Sequence, residues 1–236
     1  MLAPPSSPAL DRDDPSAQHY DADYFAWQRS IGEFSAKANR FRFQPYVSPA
    51  DRVVDFGCGG GYLLAALACA DRMGVEVNPV ARQEAERQGI TTVPYAELLP
   101  DAWADVVISN SALEHVEHPL AELRKIVPKV RPGGRVIVVV PMENLDARYK
   151  VDDVNQHLYT WSPLNLGNLV KAAGLVVEDV RASRIMWPPF YAQCYALLGE
   201  RGFRWLCLMY RAVRVGLSPV IPVGCHAAVV AVARRP

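Results

Sequence analysis

The sequence lacks several patterns that would assign it to a simple class. No apolar run is long enough to cross a bilayer, and no basic segment followed by an apolar stretch marks a signal peptide at the N-terminus. No internal repeat appears. The 236 residues carry no net charge, which argues against nucleic acid as the main partner. These absences favour one globular domain with a modest appendage.

The cysteines also lack a recognisable spacing. There are five of them, with no C-x-x-C pair and no separation typical of metal ligands: Cys58, Cys69, Cys194, Cys207 and Cys225. An odd count without an export signal indicates reduced thiols and therefore a cytoplasmic protein. The sequence predicts no metal site.

A triphosphate-binding loop, G-x-x-x-x-G-K-[S/T], is missing too, but a different glycine turn is present. The apolar run Val53-Val54 leads through Asp55 into glycines at 57, 59 and 61, followed by a segment with helical character. This pattern predicts a strand, a tight turn and a helix over 61–69, as in nucleotide-binding α/β domains. The spacing is G-x-G-x-G, and Tyr62 stands where a dinucleotide fingerprint has its third glycine.

Two acids accompany this turn. Asp55, two residues before the first glycine, suits a ligand that carries a positive charge rather than a pyrophosphate. Glu76 ends a second apolar run, 72–77, where a carboxylate can accept both hydroxyls of a ribose. The position of Glu76 suits nicotinamide and S-adenosylmethionine folds alike, whereas the glycine spacing favours the second.

Four strings in order resemble the motifs of class I S-adenosylmethionine-dependent methyltransferases. They are the glycine turn, the acid Glu76, residues 109–116 and the lead into a fifth strand at 129–141. The resemblance covers residues 50–180 strongly. It implies an α/β, Rossmann-like, doubly wound sheet of seven strands, mostly parallel with an antiparallel last strand, and helices on both faces. The cofactor would be S-adenosyl-L-methionine, held by Asp55, Gly57, Cys58, Gly59, Gly61, Glu76 and Asn110.

One part of the family pattern is missing. Relatives often place an acid directly after the third strand to accept from the adenine amino group, and this chain has Tyr95 and Ala96 there. Glu97 or backbone groups are the substitutes. Cys58 lies between glycines, so its small size explains it better than reactivity does.

The remaining elements follow from periodicity and from helix start and stop signals. We expect strands over 91–93, 104–110, 135–140, 175–180 and 226–233, with a turn at 131–134 before the fifth. We expect helices over 79–88, 119–129 and 163–173.

Three regions are expected along the chain. Residues 1–17 form a disordered leader, 18–48 a helical cap, and 49–236 the methyltransferase domain with a basic, aromatic helical insertion at 187–217. The cap is aromatic, and Phe34 and Phe41 are spaced to share a helix face. It either packs on the core or acts as a lid, with Tyr24 and Trp27 over the ligand.

The predicted reaction is methyl transfer to a small-molecule or glycan acceptor at oxygen. Candidate bases are His157, His115 and Glu143, because an oxygen acceptor needs a group that titrates near neutral pH. His115 is expected to begin a helix and to be structural, while His157 is followed by Tyr159 and Trp161, a mixture suited to an acceptor pocket. The alternatives are a catalytically silent partner subunit and a nicotinamide-dependent oxidoreductase.

The charge is distributed unevenly. Residues 181–236 carry eight arginines and one acid, Glu200, while 1–180 carry the acidic excess. A helix over 201–217 would group Arg201, Arg204, Arg211 and Arg214 opposite an apolar side formed by Phe203, Trp205, Leu206, Met209, Tyr210, Val213 and Leu217. We expect that side to be buried against the sheet or in a homodimer, with peripheral contact at the inner face of an anionic membrane as the alternative.

Overall fold

The structure is a computed structural model that describes residues 32–142, 149, 151, 153, 155–217 and 226–236. The expected leader at 1–17, the cap residues Tyr24 and Trp27, and the reserve base Glu143 lie outside the described residues.

Within the described residues, seven strands form one sheet in the order β3-β2-β1-β4-β5-β7-β6. The strands are β1 (Arg52–Phe56), β2 (Asp71–Val75), β3 (Thr91–Val93), β4 (Ala104–Asn110), β5 (Val130–Met142), β6 (Val176–Ile185) and β7 (His226–Arg234). β7 runs antiparallel to both of its neighbours, and the other pairs are parallel. The predicted fold class is confirmed.

Helices cover both faces of this sheet. They are α1 (32–39), α2 (Tyr62–Ala66), α3 (Pro79–Arg87), α4 (Pro119–Ile126), α5 (Pro163–Ala172) and α6 (Tyr191–Gly216). Successive strand residues point to opposite faces, so Val53 packs with α2 and α3 while Val54 packs with α4 and α5. The two apolar clusters fix the sheet between its helices and hold the carboxyl ends of β1, β2 and β4 at one edge.

The expected boundaries are close in the nucleotide-binding half and less accurate beyond it. β3 and β4 match their predicted ranges, whereas α2 ends at Ala66 and α4 ends at Ile126, where a 3-10 turn follows. The predicted turn at 131–134 is wrong, because β5 already begins at Val130. The pairing of β4 with β5 shifts register between Ala104 and Val106, which accommodates the extra residues in β5. On the other side of β5, Gly133 and Gly134 pair with Arg235 through backbone hydrogen bonds of 2.9 Å.

Helix α6 corrects the expectation for the tail. It is bent at Gly199, which has φ 64° and ψ −179°. Phe203 and Cys207 are buried against β6 and an aromatic cluster that includes Phe34, Trp187 and Tyr195. Leu206 and Tyr210 are half-buried. The remaining members of the expected apolar side are exposed, Trp205 by 69%: Trp205, Met209, Val213 and Leu217. The helix therefore rests on a narrower stripe than the sequence predicted and leaves most of its apolar side chains uncovered.

Candidate active site

The glycine turn at the carboxyl end of β1 has the predicted geometry. The backbone N–H groups of Gly57 and Cys58 donate to the carbonyl of Val75 on β2, at 2.9 and 3.1 Å. Gly57 has φ +75°, and a Cβ there would collide with the Cβ of Ala112 beyond β4. This position requires glycine both for its backbone conformation and for the close approach of the two loops.

Glu76 is bound directly to this turn. Its two carboxylate oxygens accept from the backbone N–H groups of Gly59 and Asn78, each at 2.8 Å. The Asn78 side chain caps α3 by accepting from the N–H of Val80 at 2.8 Å, and this contact fixes the backbone next to Glu76. A carboxylate oxygen has two lone pairs, so Glu76 keeps acceptor capacity for a ligand's hydroxyl groups.

Asp55 lies beneath the turn and is 2% exposed. Its Oδ1 atom has no hydrogen-bond partner among the described residues. Burial, and secondarily the negative charge of Glu76, raises the pKa of Asp55 to about 8. A positively charged group would reverse both effects, so Asp55 is suited to a ligand's ammonium group.

The neighbouring strand contributes Asn110, the last residue of β4. Its side-chain oxygen is likewise buried without a partner within the described part of the chain. The next residue, Ser111, still donates its N–H to the carbonyl of Val139 on β5 at 2.8 Å. Its φ of +54° marks the end of extended backbone at this point. Two unpartnered buried oxygens at adjacent strand ends fit the amino-acid end of S-adenosylmethionine.

His115 and His157 come together just beyond β4. Their ring centroids are 4.9 Å apart, and both side chains are half-buried. His115 does not begin a helix as expected; it ends the 3-10 turn Leu113–His115, and α4 starts later, at Pro119. The carboxylate of Glu114, fully buried, completes a cluster whose ligand-type atoms all lie within 4.8 Å of one another.

Cys58 packs into the space left by the missing side chain of Gly74. Burial raises the pKa of its thiol well above the ordinary value, so it stays protonated and unreactive. The expectation that small size explains this residue agrees with its packing. The four described cysteines, Cys58, Cys69, Cys194 and Cys207, are free.

The other expected site residues have no direct contact with the glycine turn among the described interactions. Glu97, the substitute for the adenine contact, pairs with Lys125 on α4 at 3.0 Å, and Tyr95 is exposed. Trp161 belongs to the core cluster under α5, whereas Tyr159 reaches the surface and donates its hydroxyl to the carbonyl of Glu117 at 2.6 Å. The structure therefore puts Tyr159 at the surface, bonded to the segment that follows His115, and Trp161 in the core.

Sequence reasoning missed two supporting residues. Arg82 on α3 donates to the backbone carbonyls of Glu76 and Val77 at 2.8 Å and holds the acid's segment in place. The second is Glu114, which lies within the string 109–116 but was not singled out there. The S-A-L-E-H string offers a weak signal for both Glu114 and His115, but no sequence period indicates that Glu114 is buried.

The glycine turn, its two acids and the open strand ends in a seven-stranded sheet of this order define a class I S-adenosylmethionine-dependent methyltransferase. A sequence model of the family described as methyltransferase domain matches residues 20–180, and the chain belongs to that family. The predicted family is confirmed, and with it S-adenosylmethionine as the cofactor.

Curated relatives share part of their length with this chain. A ubiquinone biosynthesis O-methyltransferase from Aeromonas salmonicida is 34% identical over 154 residues, covering 55% of this chain and 64% of the relative. One of the same name from Cereibacter sphaeroides is 29% identical over 174 residues, covering 62% of this chain and 69% of the relative. The chain thus spans less than two thirds of the Aeromonas protein.

Solved structures show the same fold. A methyltransferase from Thermotoga maritima, described as a possible histamine N-methyltransferase, aligns with a TM-score of 0.65 at 17% identity, covering 94% of this chain and all of that one. A putative methyltransferase from Bacillus halodurans aligns with a TM-score of 0.57 at 17% identity, covering 86% of this chain and 99% of that one.

Proposed function

We propose that this chain transfers a methyl group from S-adenosylmethionine to a hydroxyl oxygen of a small molecule. The observation that carries the proposal is the placement of two sites on neighbouring strands. The glycine turn follows β1, which carries Asp55, and Glu76 comes directly after β2. The His115–His157 pair lies beyond β4, which pairs directly with β1. A cofactor-type site therefore adjoins a pair of side chains that can take a proton.

The cofactor's groups are assigned to specific residues. Glu76 accepts from the ribose hydroxyls, and Asp55 and Asn110 face the ammonium group of the methionine portion. Gly57, Gly59 and Gly61 leave space for the ligand because all three have positive φ and no side chain. When bound, S-adenosylmethionine supplies a methyl group on a sulfonium sulfur, which keeps the electron pair as the acceptor oxygen bonds to carbon.

The protein's remaining task is to align the acceptor and take its proton. His157 is the base in this proposal, with His115 packed edge-on against it. The segment that carries His157 is held to the β4 side by two hydrogen bonds, from the N–H of Leu158 to the carbonyl of Glu114 at 2.9 Å and from Tyr159 to Glu117. This tethering keeps the imidazole in place before an acceptor arrives.

The described part of the cap, from Gly32 onward, lies beside the helix that follows the glycine turn. A Cβ at Gly32, the first described residue of α1, would come within 2.8 Å of the Tyr62 ring, and Tyr62 begins the helix after the glycine turn. The described end of the cap therefore lies against the cofactor turn, which supports a lid role for residues 18–48.

The relatives' names favour an oxygen on a small molecule over a glycan. The test is titration of the purified chain with S-adenosylhomocysteine and, separately, with NADH, followed by assays with small aromatic diols and with simple glycosides. We expect S-adenosylhomocysteine to bind and NADH not to bind, with methyl ethers formed only on the small hydroxyl compounds. Binding of NADH alone would overturn the assignment, and methylated glycosides would move the acceptor to a sugar.

The base has its own test. A His157→Ala variant should retain S-adenosylhomocysteine binding and lose most of its turnover, while His118→Ala serves as control because His118 is exposed at the start of α4. A His157→Ala enzyme that keeps its turnover would eliminate His157 as the base.

We also propose that the outward side of α6 rests on an anionic membrane. The exposed apolar side chains of α6, here called its apolar surface, are Leu197, Leu198, Trp205, Leu208, Met209 and Val213. The last four are spaced to share one helix face. No described helix has the length and apolar character needed to cross a bilayer, so the contact would be peripheral. An amphipathic helix with aromatic and arginine side chains is typical of interfacial binding.

Charge favours a membrane over a second copy of the chain. The only acid within 187–217 is Glu200, and it already pairs with Arg40 at 2.5 Å. Arg201 is exposed beside the apolar surface. A two-fold dimer would bring this surface against itself and place arginines opposite arginines, whereas anionic lipid supplies the missing negative charge.

Vesicle flotation tests this contact. The chain should float with phosphatidylglycerol vesicles at low salt, less so at high salt, and not with phosphatidylcholine vesicles. A Trp205→Ser/Met209→Ser variant should lose binding, while Leu164→Ser, which changes a 76% exposed leucine on α5, should keep it. If the chain stays unbound at low salt, or sedimentation shows a dimer that the double variant dissociates, the membrane proposal fails.

A further inference from the structure

The cluster beyond β4 brings together three side chains that commonly bind metal ions. Glu114, His115 and His157 each offer one ligand-type atom, and these atoms lie within 4.8 Å of one another. His157 is distant in sequence from the other two, so no spacing rule predicts the arrangement. Two imidazoles and a carboxylate form a mixed set in which each member can bind the same ion.

The two backbone segments that carry the cluster are fixed to each other. The N–H of Leu158 donates to the carbonyl of Glu114 at 2.9 Å, so the residue after His157 is bonded to one member of the cluster. The Tyr159 hydroxyl donates to the carbonyl of Glu117 at 2.6 Å. These bonds hold the three side chains close together, and small side-chain rotations would bring their donor atoms to the ~2.0–2.2 Å that zinc ligands require.

The three side chains of the cluster differ in their exposure to solvent. Glu114 is fully buried, while His115 and His157 are half-buried and so partly accessible to solvent. A cation between them would offset the free-energy cost of keeping the Glu114 carboxylate out of water. Three protein ligands with an open side are the arrangement found at catalytic metal centres, where a water or substrate oxygen completes the coordination.

We propose that Glu114, His115 and His157 bind a divalent transition-metal ion that receives the acceptor's hydroxyl oxygen. Imidazole ligands favour transition metals such as zinc over magnesium and calcium, which prefer oxygen ligands. This inference rests on the proposed methyl transfer and deepens it. A hydroxyl bound to the ion releases its proton to water more readily. The deprotonating role proposed for His157 would then be exerted through the ion that it holds.

Metal binding can be measured without knowing the acceptor. The full chain, freed of metal by a chelator and then of the chelator, is titrated with Co²⁺ while its visible absorption is followed, and with Zn²⁺ by calorimetry. We expect one ion per chain and a cobalt spectrum without sulfur charge-transfer bands, since the ligands are nitrogen and oxygen. The His115→Ala and His157→Ala variants should lose this binding.

His118→Ala is the matched control, because His118 is exposed and lies outside the cluster. It should bind cobalt as the parent does. Each sample is also titrated with S-adenosylhomocysteine, which should bind with or without the ion. Cobalt binding that is absent, or equal in the parent and in both cluster variants, overturns the metal site. Loss of S-adenosylhomocysteine binding in the metal-free parent would instead count against the proposed function.

Discussion

Folded proteins usually bury apolar side chains and expose polar ones. The carboxyl end of β1 and the outer side of α6 depart from this rule in opposite ways. At β1 and β4, the polar oxygens of Asp55 and Asn110 are buried with no partner in the described structure. On α6, large apolar side chains such as Trp205 and Met209 stand in solvent. Exposed single hydrophobics are ordinary, but buried unpaired polar groups and contiguous apolar patches are not.

Both departures indicate a binding partner outside the chain: a ligand in the first region and another surface in the second. Unpaired buried oxygens cost free energy unless a ligand supplies hydrogen-bond donors or positive charge. An uncovered apolar surface costs free energy unless another surface removes it from water. The first region supports the proposed cofactor site, and the second supports the proposed contact with a membrane.

The largest expected effect concerns α6, where the stability of variants should distinguish its buried side from its exposed side. Phe203→Ala should lower the free energy of unfolding by ~3–5 kcal/mol, because it empties a buried site, whereas Trp205→Ala should change it by less than ~0.5 kcal/mol. Chemical denaturation of both variants measures the difference. Equal losses would mean that the outer side of α6 is buried after all.

The next effect concerns cofactor affinity at Glu76. Glu76→Ala should weaken S-adenosylhomocysteine binding by ~1.5–3 kcal/mol, the amount typical of hydrogen bonds to a charged group. Glu97→Ala is the matched control, because Glu97 pairs with Lys125 on the surface. Calorimetry compares them, and a thermal melt checks that Glu76→Ala is folded. Similar affinities for both variants would remove Glu76 from the site.

A smaller effect is the pH dependence that Asp55 imposes. Its pKa is about 8 in the folded chain without ligand, above its ordinary value of ~3.9. The folded chain thus holds a proton that the unfolded chain releases, and its stability should fall as pH rises from about 4 to about 8. Burial also raises the pKa of Glu76, which adds to this trend.

Ligand binding should show the opposite trend with pH. A positively charged group favours the Asp55 carboxylate, so affinity for S-adenosylhomocysteine should rise toward pH 8, by at most about tenfold per unit. Asp55→Asn should flatten both the affinity profile and the stability profile. If the variant keeps the parent's pH dependence, Asp55 is not the titrating group.

The nucleotide-binding half of the fold was predictable because its signals are local. Glycine spacing marks a turn that only positive φ permits, and the predicted bounds of β4 match Ala104–Asn110. The side of α6 that docks was not predictable. Periodicity shows which residues share a helix face, but docking through Phe203 and Cys207 depends on the distant cluster around Phe34.

The candidate site likewise has a part that was predictable from the sequence and a part that was not. The position of Asp55 and Glu76 beside the turn was predictable, because each ends a strand-like run next to the glycines. The pairing of His115 with His157 depends on a backbone bond between Leu158 and Glu114, which no sequence period encodes. The buried carboxylate of Glu114 was missed for the same reason.

The most direct test of the cofactor site compares two glycines with the same backbone conformation. Gly57 and Gly133 both have φ +75°, but a Cβ collides with Ala112 only at Gly57. Alanine at either position should cost ~1–2 kcal/mol of stability from the left-handed conformation. Titration with S-adenosylhomocysteine should show parent-like binding by Gly133→Ala and little or none by Gly57→Ala. Parent-like binding by a folded Gly57→Ala variant would contradict the assignment of the glycine turn as the cofactor site.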